Sequence, residues 1–429
     1  MPALTEDQAR SYMHKLLAAM SQAGGSDLFI AAEFPPSMKS NGSMKPLTEQ
    51  KLSADVTRQL AQAMMTANQR KEFEREMECN FAIALPGISR FRVNVYVQQQ
   101  SVSMVIRTIA SEIPNFEKLK LPEVLKDVVM NKRGLVLVVG ATGSGKSTTL
   151  AAMIDHRNRT SAGHIITVED PVEYVHASRQ SLVTHREVGV DTKSWHHALK
   201  NTLRQAPDVI LIGEIRDAET MEHAISFAET GHLCLGTLHA NSASQTIERI
   251  INFFPEERRS QLLMDLSANL RAIVSQRLVR REDSNGRSAA IEILLNTPII
   301  AERIFQGHFH ELKAIMSKSR ELGMRTFDWA LFELYDQGLI SFDEAIRNAD
   351  SANELRLHIK LKSARGEPQA SGFMSLSIQE DPKPDDVEEL RHQEKLIQQE
   401  NRRKFEEAEL AGLREKKRLS AMSAQGAPT

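Results

Sequence analysis

The sequence predicts an α/β protein in two successive parts: an α+β module, then a largely parallel sheet covered on both faces. Three observations carry that reading. The chain has 429 residues, more than one hydrophobic core usually organises. Near residue 122 its apolar pattern changes from period-2 alternation to short continuous apolar runs separated by helical stretches. Beyond residue 363 a link containing Gly, Pro and Ser leads into a charge-dense segment, Glu380 to Arg418.

Taken in order, Met13, Leu16, Leu17 and Met20 recur at helical spacing and place a helix at the start. Phe91, Val93 and Val95 alternate with Arg92, Asn94 and Tyr96, as in a strand with one covered face. Met104 to Ile106 forms a second strand that leads to Arg107. Glu112, Ile113, Pro114 and Asn115 break the pattern. The expected division is therefore a domain over 1–112, a linker over 113–122, a second domain over 123–362 and a tail over 363–429. In the second domain Leu135 to Val139, Ile165 to Val168, Val209 to Ile212 and Leu233 to Leu235 are the expected strands. Helical stripes are expected at Leu262, Leu266, Leu270 and Ile273, and at Phe327, Leu331 and Leu334. The tail balances acid and base and sustains no heptad, so it reads as a solvated helix, with a partner-docking helix as the alternative.

Composition narrows the function classes. With 41% apolar and 26% charged residues the chain is globular rather than disordered. A net charge of −2 supplies no global basic field for nucleic acid, leaving only local patches such as Lys313, Lys318 and Arg320 for such a role. The two cysteines, Cys79 and Cys234, match neither metal-ligand nor disulfide spacing and suit a reduced, cytoplasmic protein. Residues Met1 to Arg10 lack the apolar core of a secretory signal. Apolar runs such as Leu135 to Val139 are far shorter than the roughly 20 residues a membrane-spanning helix needs.

Gly140, Ala141, Thr142, Gly143, Ser144, Gly145, Lys146 and Ser147 follow an expected strand and open an expected helix at Thr148. That context is what a phosphate-binding loop requires, because glycines permit a tight turn whose backbone N–H groups point at the phosphates. Lys146 would neutralise the β- and γ-phosphates of ATP, and the Ser147 hydroxyl would bind Mg²⁺. Hydrolysis also requires carboxylates. Glu214 follows the apolar strand ending at Ile212 and is the second expected Mg²⁺ ligand. Glu169, Asp170 and Glu173 cluster at another strand end, where any of the three could polarise the attacking water. His232 and His239 flank a further short strand, where they could sense the γ-phosphate.

Four ordered blocks lie between Gly140 and His239: the phosphate loop, Glu169-Asp170-Pro171-Val172-Glu173-Tyr174, Leu211-Ile212-Gly213-Glu214-Ile215-Arg216-Asp217, and Gly231 to His239. In this the chain resembles the secretion-superfamily ATPases of type IV pili and type II secretion, and most of all the retraction group of PilT/PilU type. The resemblance implies a PAS-like N-terminal domain, a RecA-like P-loop domain and a homohexameric ring. It implies that Glu173 activates water, that Glu214 works at the Mg²⁺ side, and that His232 and His239 form a γ-phosphate-sensing box. It also implies that Arg92 and Arg107 reach the nucleotide from the N-terminal domain. Two cysteines cannot build the four-cysteine zinc motif usual in pilus-extension and secretion members. The stretch Leu312 to Ser319 departs from the motif typical of PilT and points to the PilU branch. The implied partners are a PilT-type retraction ATPase and the inner-membrane pilus platform protein, at the cytoplasmic face of the membrane. The rival expectations are an accessory nucleotide-binding ring subunit with little turnover of its own, a pilus-assembly or type II secretion ATPase, and a nucleic-acid motor.

Overall fold

The computed structural model describes residues 4–40, 43–109, 113–283 and 286–366. The tail segment from Glu380 to Arg418 lies outside the described residues.

The helix Glu6–Gln22 begins where Thr5 and Gln8 cap each other reciprocally, satisfying two N–H groups that a helix start leaves open. Its Met13, Leu16, Leu17 and Met20 are buried, as their spacing requires. They pack into the core of a six-stranded sheet: β1 (Asp27–Ile30), β2 (Ser37–Ser40), the exposed β3 (Ser43–Pro46), β4 (Glu78–Leu85), β5 (Ser89–Gln98) and β6 (Ser101–Ile109). The spatial order is β3-β2-β1-β6-β5-β4, antiparallel throughout. On β5, Phe91, Val93 and Val95 are fully buried while Arg92, Asn94 and Tyr96 face outward, so one residue of phase decides which face carries arginine.

The second sheet comprises β7 (Gly134–Val139), β8 (Gly163–Glu169), β9 (Ser181–Glu187), β10 (Val209–Ile212), β11 (Leu233–Leu238), β12 (Leu270–Arg280) and β13 (Arg287–Leu295). Its order is β13-β12-β7-β11-β10-β8-β9, parallel except for β13 at one edge. Along β7, Leu135, Leu137 and Val139 enter one hydrophobic cluster while Val136 and Val138 enter another. Both faces are thus covered, which explains why this strand reads as a continuous apolar run.

One expectation needs correction. Leu262 and Leu266 lie on the helix Arg259–Asn269, but Leu270 and Ile273 belong to β12. The register shifts between Leu270 and Ala272, and this irregularity brings Leu270 and Ile273 into one cluster although they are three residues apart, mimicking helical spacing. The stretch 113–122, expected as the linker, has structure of its own. It contains the helix Phe116–Leu119, and Phe116 and Leu121 are buried with Leu125, Val129 and Ile154. Both cysteines are buried free thiols. Among the described residues no helix is long and apolar enough to cross a membrane.

Leu137 is fully buried at the centre of the sheet. Leu137→Ala is expected to destabilise the protein by about 2–5 kcal/mol through lost burial and a residual cavity, read as a lower urea midpoint at unchanged slope.

Candidate functional site

A parallel sheet delivers the C-terminal ends of its strands to one edge. Here that edge gathers the loop after β7, Glu169 at the end of β8, Glu214 after β10 and His239 after β11. They border a cleft of about 740 Å³ whose wall also includes Thr142 to Thr148, Asp170, Glu173, Tyr174, Arg216 and Thr237, and Arg107 from β6.

The loop's shape follows from its glycines. Gly140 has φ +153°, and a Cβ there would stand 2.4 Å from Ser144 Oγ and 2.5 Å from the Gln276 carbonyl oxygen. Gly145 has φ +91° and packs against the Gln276 side chain, where a Cβ would come within 2.8 Å of Nε2. The helix Lys146–Thr160 starts at this point, so its first-turn N–H groups open towards the loop. Lys146 donates from Nζ to the carbonyls of Gly140 at 2.9 Å and Ala141 at 3.2 Å, and burial lowers its pKa. Ser144 Oγ is buried without a hydrogen-bond partner among the described residues. An amine already drawn into the loop, an unpartnered buried hydroxyl and open helix N–H groups together fit a polyphosphate. Ser147 is exposed to the cleft.

Glu214 carries most of the local charge pairing. Its Oε2 accepts from Arg216 at 2.6 Å and its Oε1 lies 3.0 Å from His239 Nε2. The Arg216 hydrogen bond, with the charges of Arg216, His239 and Lys146, holds its pKa below the usual carboxylate range. Thr237 Oγ1 donates to the Gly213 carbonyl, and the Ile215 N–H donates to the Thr237 carbonyl at 2.8 Å, which fastens this segment to β11.

The acidic box divides by burial. Asp170 and Glu173 are exposed, whereas Glu169 is buried. His185 Nε2 lies 3.0 Å from the His176 backbone N–H, which makes Nε2 an acceptor and leaves the ring proton on Nδ1. Nδ1 then donates to Thr167 Oγ1 at 2.9 Å, and the Thr167 hydroxyl turns to Glu169. Burial pushes the Glu169 pKa up to about 7. Glu169 Oε2 accepts the Glu173 N–H at 3.4 Å, so the buried acid braces the exposed one.

Arg107 is two-thirds exposed, and its Nε donates to the buried Asp27 at 2.7 Å, leaving the two terminal nitrogens free to turn to the cleft it lines. Arg92 lies directly opposite Arg107 across β5 and β6, outside the cleft wall. His232 does not join the others. It sits before β11, beside Gly134 at the opposite edge of the sheet, with Nδ1 against the Phe227 carbonyl and Thr230 Oγ1. The two histidines flank one strand, but a parallel sheet separates its strand starts from its strand ends, so they cannot face one site.

Three contributors carried no motif. Asp27 orients Arg107, and Gln276 accepts from Thr149 Oγ1 at 2.7 Å behind the loop. Glu187, buried at the end of β9, accepts both from Arg90 on β5 at 3.0 Å and from the Val172 N–H at 3.2 Å. Of the cations considered for phosphate contact elsewhere, Lys313 pairs with Asp328 and Asp350, and Arg320 stacks on Trp329 with 3.8 Å to the ring centre.

A family model described as type II/IV secretion system protein matches residues 6–325. The chain belongs to that family. This secretion-family chain is 56% identical over 370 residues to the type IV pilus ATPase PilU of Pseudomonas aeruginosa, covering 86% of this chain and 97% of the relative. It is 42% identical over 335 residues to the type IV pilus retraction ATPase PilT of the same organism, covering 78% and 97% respectively. Its fold matches the crystal structure of the pilus retraction motor PilT with bound ADP at a TM-score of 0.74 and 39% identity, over 80% of this chain and 98% of that one. The expected α/β fold, with an N-terminal domain ahead of a secretion-ATPase domain, therefore holds.

The raised Glu169 pKa has a definite sign. Its contribution to stability is fully present below its ordinary 4.5 and is lost as pH rises through about 7. Glu169→Gln is expected to flatten the decline in thermal midpoint between pH 5 and pH 8. Some slope remains from Glu292, which burial also raises to about 7.

Proposed function

We propose that this protein is an ATP-hydrolysing motor that powers type IV pilus retraction, working as a homohexameric ring beside a PilT-type ATPase. The observation that carries the reading is the convergence of Lys146, Glu173, Glu214 and Arg107 on one cleft at the sheet edge. Its similarity to PilU and PilT supports the retraction role.

In this reading the loop from Gly140 to Thr148 receives the phosphates of ATP through backbone N–H groups, and Lys146 supplies the compensating charge. Ser147 and Glu214 would hold Mg²⁺, which supplies charge neutralisation at the transferring phosphoryl group when bound. Glu214 suits this role because its partners keep it ionised at neutral pH. Glu173, exposed to the cleft and fixed at its N–H by Glu169, orients and deprotonates the attacking water. His239, bonded to Glu214, is placed to register loss of the γ-phosphate. Arg107, braced by Asp27, reaches the nucleotide from the N-terminal domain, with Arg92 beside it. Domain closure about ATP and release after hydrolysis would pass around the ring and act on the inner-membrane platform protein from the cytoplasmic side. His232, at the far edge of the sheet, takes no part in its own protomer's cleft.

The first test is ATP hydrolysis by size-fractionated protein with and without Mg²⁺, alone and with its PilT-type partner. Turnover should need Mg²⁺ and fall by about 10² to 10⁴ in Glu173→Gln, with a comparable collapse in Glu214→Ala. Absence of turnover in every mixture would overturn the motor reading in favour of an accessory ring subunit.

Arg107→Ala should lower turnover by about 10³ or more with nucleotide affinity nearly unchanged, as for arginines that act on transition-state charge. Unchanged turnover in a variant that still assembles would remove Arg107 from the mechanism.

A further inference from the structure

Outside the cleft, one side-chain cluster among the described residues has the composition of a metal site. The helix Trp195–Thr202 precedes β10 and the helix Ala218–Glu229 follows it, and the two lie against each other. His196 comes from the first turn of the first helix. Glu219 and His223 come from the second, four residues apart and so on one face. One ligand atom from each of these three side chains lies within 4.8 Å of the other two.

The details favour an ion. His196 Nδ1 already contacts Glu219 Oε1, and the His196 and His223 rings stand 6.5 Å apart. The His196–Glu219 pair explains two members of the cluster. It does not explain a second imidazole set beside the first. His223 is half-buried and stacked on Phe227 at 5.9 Å. His196 and Glu219 are exposed and leave an entry path. Among the neighbouring charged groups, Glu222 is engaged by Arg258, and His197 packs edge-on to His196.

We propose that His196, Glu219 and His223 form a binding site for a divalent transition-metal ion, with Zn²⁺ as the best-matched occupant. Two imidazoles and one carboxylate suit zinc, which takes such ligands at about 2.0–2.2 Å in a tetrahedron with the fourth place left to water. Mg²⁺ and Ca²⁺ prefer all-oxygen shells, so this site is chemically distinct from one built on Ser147 and Glu214. Drawing three ligand atoms inward from separations within 4.8 Å is a side-chain adjustment. The ion would join the two helices on either side of β10. Asp217 caps the second of these helices and ends the segment that carries Glu214, so metal would stiffen the support of Glu214 from outside the nucleotide cleft.

The test is titration of metal-stripped full-length protein with Zn²⁺ by calorimetry, and with Co²⁺ followed by its visible absorption. One Zn²⁺ per chain is expected, with the intense Co²⁺ bands of a tetrahedral site. Affinity should fall by at least about tenfold in His196→Ala and in His223→Ala, and hold in Glu214→Ala and in a His308→Ala/His310→Ala double variant. Because His196 is exposed, its variant keeps the fold, which circular dichroism verifies. Zinc binding that survives the combined loss of His196 and His223, or no saturable binding by the wild-type chain, would overturn the proposal.

Discussion

Parallel pairing of β7 with β11 and β12, and of β10 with β8 and β11, is the constraint on which the remainder of this molecule depends. It brings the ends of β7, β8, β10 and β11 to one edge, so residues far apart in sequence share that edge without any contact needing to specify it. The glycines after β7 then need only turn tightly, and Gly213 after β10 need only stay small beside Glu169, which a Cβ there would approach to 3.1 Å. The same pairing sets the strand starts at the opposite edge, which is where His232 is found.

The carboxylates of this edge differ in chemistry because they differ in solvation. Glu214 keeps its charge through an arginine, a histidine and a nearby lysine. Glu169 is screened from water, and that burial outweighs the hydrogen bond from Thr167, so its proton is held more tightly. Two glutamates at the ends of neighbouring parallel strands thus divide into an ionised member beside the phosphate loop and a more tightly protonated one that opens the acidic box.

The phosphate loop, the four central strands, the first helix and the alternation of β5 were legible because each is written in adjacent residues: glycine spacing, apolar runs, or a period of two or 3.6. β12 was misread where its register shift gave a helical interval to strand residues. Asp27, Gln276 and Glu187 left no such trace. Their partners Arg107, Thr149 and Arg90 stand 80, 127 and 97 residues away, so no local pattern could mark them. By residue pattern alone the exposed Glu173 and buried Glu169 are indistinguishable, since burial is decided by β9 and His185, which no local motif marks.

Glu187 bears on how the two sheets can move. Its carboxylate is almost wholly removed from water and is shared between a guanidinium on β5 and the backbone of the acidic box. Withdrawing Arg90 would strand a desolvated charge with a single neutral donor, a penalty that appears abruptly once the pair separates. The contact therefore behaves as a detent rather than a spring. Small excursions of the N-terminal sheet meet stiff resistance, and a larger one must break the pair outright, leaving the Val172 N–H, on the loop that carries Glu173, to hold the carboxylate.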